Sequence, residues 1–316
     1  MIISNKKIND LPCTEPMTKI DIVLADKNNI GISHCCHHMN HLTDIMPLDT
    51  VYKIDKFSFM EYLKTAYTHN SDFIKQYIPD YHECKSSKKL CIFGGKTIKT
   101  VGVSIARDCN LACPMCYEKN LKLQYTDPKY KQLYFYLLNK IKGFSDIGIR
   151  LTGIGEPFFY KKETFDFLKS LTANDCSHVE AISNITMLND GDILQLYEIS
   201  KQIPIFISVS CSAITAETYK KVHSADFFNK VVNNIKLLNK YNLLAGINFV
   251  IQPDNLHELE FYKEFWQKQN VNTTCDINLI GGRPSQKNLI FSEYLKYRNK
   301  NPFTTIDTLN GKMNVG

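Results

Sequence analysis

TIKTVGVSIARDCNLACPMCYEKN (97–120) decides the fold of this chain. Its first half, TIKTVGVSIAR (97–107), is β-branched and apolar and stops at Asp108, the pattern of a buried strand. Its second half sets Cys109, Cys113 and Cys116 in a C-x3-C-x2-C spacing directly after that strand. With eleven cysteines among 316 residues, such a triplet arises by chance roughly 0.01 times per chain, so it needs a reason. Thiolates this close on a loop can converge on one metal centre. A structural zinc site closes its shell with a fourth Cys or His nearby, and no histidine lies between Asp108 and Ser177. A cubane iron–sulfur cluster held by only three cysteines leaves one iron open to an exogenous ligand.

Outward from this loop, apolar runs alternate with helical patterns. The helical stretch 127–142 is followed by IGIRLTG (147–153), a helix over 162–171 and HVEAISN (178–184). A helix at 190–200, IPIFISVS (203–210) and helices at 215–222 and 226–240 come next. LLAGINFVIQ (243–252), a helix over 256–269 and CDINLIGG (275–282) complete the series. Six strands with helices between them imply a parallel sheet built from right-handed crossovers. Six units are too few for an eight-fold barrel, so the expected fold is α/β, an open or partial (β/α)6 TIM-like barrel over residues 96–284.

Residues 1–95 read as a small N-terminal α+β domain. IDIVLAD and IGISHCC (within 20–36) are two strands joined by a polar turn, and FSFMEYLKTAY (57–67) and SDFIKQYI (71–78) are two short helices. KSSKK (85–89) reads as a surface loop or linker before a boundary near residue 95, and the polar stretch 285–316 as a C-terminal extension. Hydrophobic residues at 44% and charged residues at 22% exclude wholesale disorder. No apolar run approaches the ~18 residues that span a bilayer, and the N-terminus has no signal-like apolar core. Net charge is +6 but scattered, which leaves nucleic acid open as a partner without pointing to it. An odd number of cysteines without a signal sequence favours reduced thiols in the cytoplasm over a disulfide framework.

The cysteine loop resembles that of radical S-adenosylmethionine enzymes, in which C-x3-C-x2-C follows the first strand of a partial barrel and an aromatic residue follows the third cysteine. Tyr117 stands in that position here. The resemblance implies that Cys109, Cys113 and Cys116 bind a [4Fe–4S] cluster whose open iron chelates S-adenosylmethionine, and that an electron donor such as flavodoxin or ferredoxin drives its cleavage to a 5′-deoxyadenosyl radical. LTGIGEPFFY (151–160) resembles the family's glycine–glutamate–proline segment at the second strand end. Carried across, Gly153, Gly155 and Glu156 meet the cofactor's amino group, and Pro157 fixes the turn that follows. Taken alone, the same residues are a common glycine turn between strand and helix. At the next strand ends, SNIT (183–186) and SVSCS (208–212), the resemblance assigns Ser183, Asn184, Ser208 and Ser210 to the ribose and the methionyl carboxylate. Each serine reads equally well as a helix cap. LIGGRP (279–284) takes the position that passes under the adenine.

Several features fall outside that pattern. SHCCHHMNH (33–41) holds Cys35, Cys36, His34, His37, His38 and His41, and Cys84 and Cys91 follow in ECKSSKKLC. They read either as a second iron–sulfur or zinc site, like the auxiliary clusters of peptide-modifying relatives but upstream of the barrel, or as free thiols and surface histidines. Vicinal cysteines point to opposite sides of a strand, so Cys35 and Cys36 cannot both ligate one metal while that strand stays extended. Cys211, at a strand end, is a candidate hydrogen-atom donor or a buried packing residue. A peptide or protein is the first substrate expected, a tRNA or nucleotide base the second, and a non-catalytic iron–sulfur or zinc module is the third reading of the whole chain.

Overall fold

The computed structural model describes residues 19–33, 44–77, 98–116, 128–151, 155–271 and 274–278. The chain order is β1 (Lys19–Leu24), β2 (Asn29–Ser33), β3 (Ile45–Pro47), α1 (Leu48–Lys53) and α2 (Lys56–Tyr77), followed by β4 (Thr100–Ser104), α3 (Pro128–Ile141), β5 (Gly148–Leu151), α4 (Lys161–Lys169) and β6 (Val179–Ser183). Then come α5 (Asp190–Ser200), β7 (Ile205–Ser210), α6 (Ala216–His223), α7 (Phe228–Lys240), β8 (Leu244–Val250), a 3-10 helix (Pro253–Phe261), α8 (Tyr262–Lys268) and β9 (Thr274–Asn278). All six expected barrel strands are present, with helices between them.

The strands form one sheet in the order β3-β2-β1-β4-β5-β6-β7-β8-β9. From β4 to β9 every neighbour is parallel and the order never reverses. A doubly wound sheet reverses its order at a switch point; this one winds in a single sense, as a partial barrel does. The α+β portion ahead of residue 95 joins the same sheet: β1 pairs with β4 in parallel, and β2 and β3 continue it antiparallel. The boundary near residue 95 and the extension 285–316 lie outside the described residues.

Register separates the two faces of the sheet. Ile20, Val101, Ile149, Val179 and Ile205 form one row across β1, β4, β5, β6 and β7, all buried and all part of the core that the helices cover. α3 shows why the helices lie there: Tyr130, Leu133, Tyr134, Leu137, Leu138 and Ile141 recur at helical spacing and are all buried. Each large apolar side chain so buried is worth about 1.5–3 kcal/mol.

The alternate row, Asp21, Gly102, Arg150, Glu180 and Phe206, lies on the other face and is polar at its centre. Arg150 Nε donates to Glu180 at 3.0 Å and Nη1 lies 3.7 Å from Asp21, while Lys19 and His178 approach Glu180 at 3.3 and 3.1 Å. Burial pushes the Glu180 carboxyl up, but His178, Lys19 and Arg150 outweigh it and hold the group well below the usual carboxylate range. Gly102 has no side chain because the Asp21 carboxylate occupies the space that a Cβ would take.

Two expectations need correction. The two short helices expected at 57–67 and 71–78 are one helix, α2, because His69-Asn70-Ser71 contains no proline or glycine to break the pattern. The helix expected over 256–269 starts as a 3-10 helix at Pro253, where Asn255 donates to the carbonyls of Ser212 and Val250 at 2.8 and 2.9 Å. That anchoring draws the segment onto the end of β7 and tightens its first turns.

Candidate functional site

The carboxyl-terminal ends of β4, β5, β6 and β7 meet at the cysteine loop. Beyond Ser104 the chain runs through Cys109 to a turn at Pro114 and Met115, closed by Cys116 N–H donating to the Cys113 carbonyl at 3.0 Å. Leu111 N–H points at Cys109 Sγ at 3.4 Å. Gly155, after β5, presses against this loop: a Cβ there would lie 2.5 Å from the Asp108 carbonyl oxygen and 2.8 Å from that of Ala106. Only glycine permits that approach. It lets Glu156 N–H donate to the Asp108 carbonyl at 2.8 Å. Tyr160, at the start of α4, donates its hydroxyl to the Asp108 carboxylate, and the Pro157 carbonyl accepts from Thr164 at 2.8 Å.

The Glu156 side chain turns inward. It accepts from Ser183 Oγ at 2.6 Å, Asn184 N–H at 2.8 Å and Phe158 N–H at 3.1 Å. Burial is the largest influence on this carboxyl and pushes it up, against those three hydrogen bonds, to about 7. Glu156 and Ser183 thus serve each other and lock the end of β6 to the turn after β5.

Asn184 carries the lock onward to the cysteines. Its Nδ2 lies 3.2 Å from Asn110 Oδ1 and 3.8 Å from Cys109 Sγ, and its Oδ1 accepts from the backbone and hydroxyl of Thr186 at 2.9 and 2.6 Å. Asn110 returns a bond to Thr186 Oγ1 at 2.7 Å. The turn between them is strained: Ile185, β-branched and fully buried, sits at φ 52°. Ser183 Oγ accepts from its N–H, and Asn234 of α7 donates to its carbonyl at 3.0 Å. Cys109 reaches solvent on one side, yet burial by the surrounding chain raises its thiol, with Glu156 and Cys116 adding to the rise.

From the far side, α6 brings His223 to Cys113, with Nδ1 3.4 Å from Sγ. The other ring nitrogen, Nε2, accepts from Ser212 N–H at 3.1 Å. Burial lowers the imidazole pKa to about 4. One turn earlier on α6, Tyr219 is fully buried and its hydroxyl has no hydrogen-bond partner among the described residues. Burial raises its pKa most, with Cys211, Cys113, Glu156 and Cys109 adding to the rise. The Tyr134 hydroxyl of α3 is likewise buried without a partner among the described residues, and burial and then Glu156 raise it.

The structure thus gathers Cys109, Gly155, Glu156, Ser183 and Asn184 around one loop, with Cys113 and Cys116 on the same loop. Ser208 and Ser210 are half-buried on the polar face of β7, in register with Ile182 and Asn248 respectively. Cys211 is fully buried, with its thiol 3.6 Å from the Ala213 carbonyl oxygen. Tyr117, Gly153, Cys35, Cys36, Cys84, Cys91, the histidines of 34–41 and LIGGRP (279–284) lie outside the described residues. Asn110, Thr186 and His223 carry much of the site and had no distinguishing pattern in the sequence.

Among the described residues no three Cys, His, Asp or Glu side chains gather closely enough to hold a single metal ion. A four-iron cluster requires something else, three thiolates at separate corners, and three thiols on one turn-bearing loop suit it. The Tyr219 hydroxyl, buried without a hydrogen-bond partner among the described residues and close enough to Cys113 and Cys109 to be influenced by them, adds a polar group suited to a polar guest. The residues present therefore fit a cluster with a polar ligand beside it.

No family model matches the chain. An uncharacterized protein of Methanocaldococcus jannaschii is 26% identical over 200 residues, 57% of this chain and 63% of that protein. A probable GTP 3′,8-cyclase of Saccharolobus islandicus is 27% identical over 198 residues, 60% of this chain and 59% of that one. The chain thus spans about six-tenths of the length of the curated relatives it matches. Among solved structures, anSMEcpe with bound AdoMet and a Kp18Cys peptide is 15% identical at a TM-score of 0.42, covering 62% of this chain and 58% of its own. Streptococcus suis SuiB bound to its precursor peptide SuiA is 12% identical at a TM-score of 0.43, covering 63% of this chain and 46% of its own. The cyclase relatives bear out the resemblance to radical S-adenosylmethionine enzymes.

Proposed function

We infer that the chain is a radical S-adenosylmethionine enzyme, with Cys109, Cys113 and Cys116 as the ligands of a [4Fe–4S] cluster. The observation that carries this reading is the docking of Gly155 and Glu156 onto the cysteine loop. A scaffold that merely held metal has no need of a glycine–glutamate turn there. When bound, the cluster and S-adenosylmethionine supply a reductive carbon–sulfur cleavage that leads to removal of a hydrogen atom from a substrate carbon.

The chain's own residues do the rest. Leu111 N–H and Asn184 Nδ2 donate toward Cys109. Glu156 ties the turn after β5 to the end of β6, so that Ser183, Asn184 and the backbone at Gly155 and Pro157 keep one arrangement toward the cofactor, and Gly153 is proposed to join them. Ser208 and Ser210 present hydroxyls from the polar face, and Tyr117 follows the third ligand. Fixed donors of this kind favour catalysis because they need not reorganise during the reaction. Cys211, packed and bonded to Ala213, is the weaker candidate for a catalytic part.

A peptide or protein is the substrate class proposed first, on the strength of the α+β portion ahead of the barrel and its Cys/His segment, which reads as a second iron–sulfur or zinc site. A nucleotide base, free or in tRNA, is the second, favoured by the name of the cyclase relatives. Reduced flavodoxin or ferredoxin is the proposed electron source. The cytoplasm is the proposed setting, since the cysteine loop requires reduced thiols; among the described residues no helix is long and apolar enough to cross a membrane.

The test is anaerobic reconstitution followed by addition of dithionite and S-adenosylmethionine. Formation of 5′-deoxyadenosine, lost in Cys113→Ala, is the expected result. Colourless protein with stoichiometric zinc and no nucleoside product supports the non-catalytic module instead. Deuterium transfer into 5′-deoxyadenosine from labelled peptides or labelled GTP separates the two substrate classes.

A further inference from the structure

His223 stands 110 positions from Cys113 in sequence, yet its imidazole lies between the cysteine loop and the end of β7. Two contacts determine which ring nitrogen carries the proton. A backbone N–H only donates, so Nε2, which faces Ser212 N–H at 3.1 Å, is the accepting nitrogen. In a neutral imidazole the other nitrogen is then the N–H, and that nitrogen, Nδ1, lies 3.4 Å from Cys113 Sγ. The ring has little freedom to change this arrangement. It is 1% exposed, and the Tyr219 ring packs on it at a centroid distance of 4.4 Å and 34° tilt. In the metal-free protein the thiol can give its own proton to the His223 carbonyl, 3.8 Å away, while its sulfur accepts from Nδ1.

We propose that His223 is a positioning residue for the cluster: its Nδ1–H donates to the Cys113 thiolate, raising the cluster's reduction potential without ligating iron. This rests on the reading of Cys113 as a cluster ligand. Hydrogen bonds to ligand sulfurs are among the factors that set such potentials. The direction follows from charge. Reduction adds an electron that the thiolate partly shares, so a donor at the sulfur stabilises the reduced state more than the oxidised one. The same proton keeps Nδ1 from acting as a fourth ligand, which preserves the open iron site that the proposed function requires.

Two measurements test this. In ¹⁵N-histidine-labelled, metal-free wild-type protein, long-range ¹H–¹⁵N correlations are expected to show His223 neutral with the proton on Nδ1. A proton on Nε2 overturns the proposal, and this result needs neither a variant nor a loaded cluster. In reconstituted protein, redox titration followed by EPR compares wild type with His223→Leu, which has no donor, and His223→Asn, whose Nδ2 occupies roughly the place of Nδ1. At a fixed solution potential the reduced fraction ratio is expected to fall about tenfold in His223→Leu, about 59 mV for one electron, and to recover in part in His223→Asn. Equal potentials in all three proteins overturn the proposal, as does loss of iron from His223→Leu that imidazole restores, which makes His223 a ligand. Failure of wild type to take up any cluster refutes the proposed function instead, while the tautomer measurement still decides the hydrogen bond.

Discussion

Replacing Glu156 with Gln tests the carboxyl that joins the strand ends. Burial is the largest influence on it and carries it from 4.5 to about 7, against the bonds from Ser183, Asn184 and Phe158. Between these values the folded, metal-free protein keeps a proton that the unfolded chain has released. Where the folded state binds more protons, stability falls as pH rises. Stability from this group is therefore fully present below pH 4.5 and is lost as pH climbs through about 7. At about 1.36 kcal/mol per pH unit, the loss across that window is about 3 kcal/mol. Glu156→Gln removes the titration but leaves an oxygen for two of the three donors. Urea unfolding of both metal-free proteins at a series of pH values isolates the effect, because other carboxylates cancel in the difference. The wild-type stability minus that of the variant is expected to fall by about 3 kcal/mol between pH 4.5 and 7 and then to level off. A difference that stays constant with pH refutes the reasoning, since the carboxyl would then titrate alike in both states.

Three further outcomes follow from packing and charge. Gly155→Ala drives a methyl into the Asp108 and Ala106 carbonyls and is expected to cost about 1–3 kcal/mol, read by urea unfolding, together with reduced iron uptake on reconstitution. Arg150→Met removes the guanidinium that pairs with the buried Asp21, while Glu180 keeps Lys19 and His178, and a cost of about 3–5 kcal/mol is expected; adding Asp21→Asn to the same chain is expected to recover most of the loss. Asn234→Ala removes the donor to the Ile185 and Leu188 carbonyls at 3.0 and 3.1 Å, and a stability loss of about 2–4 kcal/mol is expected. A loss within about 0.5 kcal/mol, as for an ordinary surface change, would show that the strained turn does not depend on α7.

How much of this was legible in the sequence follows from the range of each interaction. The strands from β4 to β9 and the helices between them are local patterns of apolar spacing, and they appear where the sequence puts them to within a few residues, except that the helix before β9 begins as a 3-10 helix. The junction of β1 with β4 was not legible, because a run such as KIDIVL carries no mark of the strand it will pair with. Cys109, Cys113 and Cys116 stand out because their relation is written within eight residues. Glu156 stood out for its motif, but the direction of its carboxyl depends on Ser183 and Asn184, 27 and 28 positions away. His223 closes an ordinary amphipathic helix with basic residues in its last turn, and nothing local separates it from a surface histidine. Its role comes from the crossover that returns α6 to the end of β7.

The pairing of β1 with β4 also bears on how the protein behaves among its neighbours in a crowded solution. Without β1, the strand leading into the cysteine loop would be the rim of the sheet, offering an open ladder to any extended polypeptide that drifted past. Among the described residues the rim on that side is instead β3, three residues long and ending at Pro47, which has no N–H to offer. So short a ladder templates little. The strand nearest the chemistry is thereby insulated from fibre-like growth, and recombinant chains lacking residues 1–95 are expected to precipitate where the intact chain remains dispersed, a difference that light scattering during refolding would register.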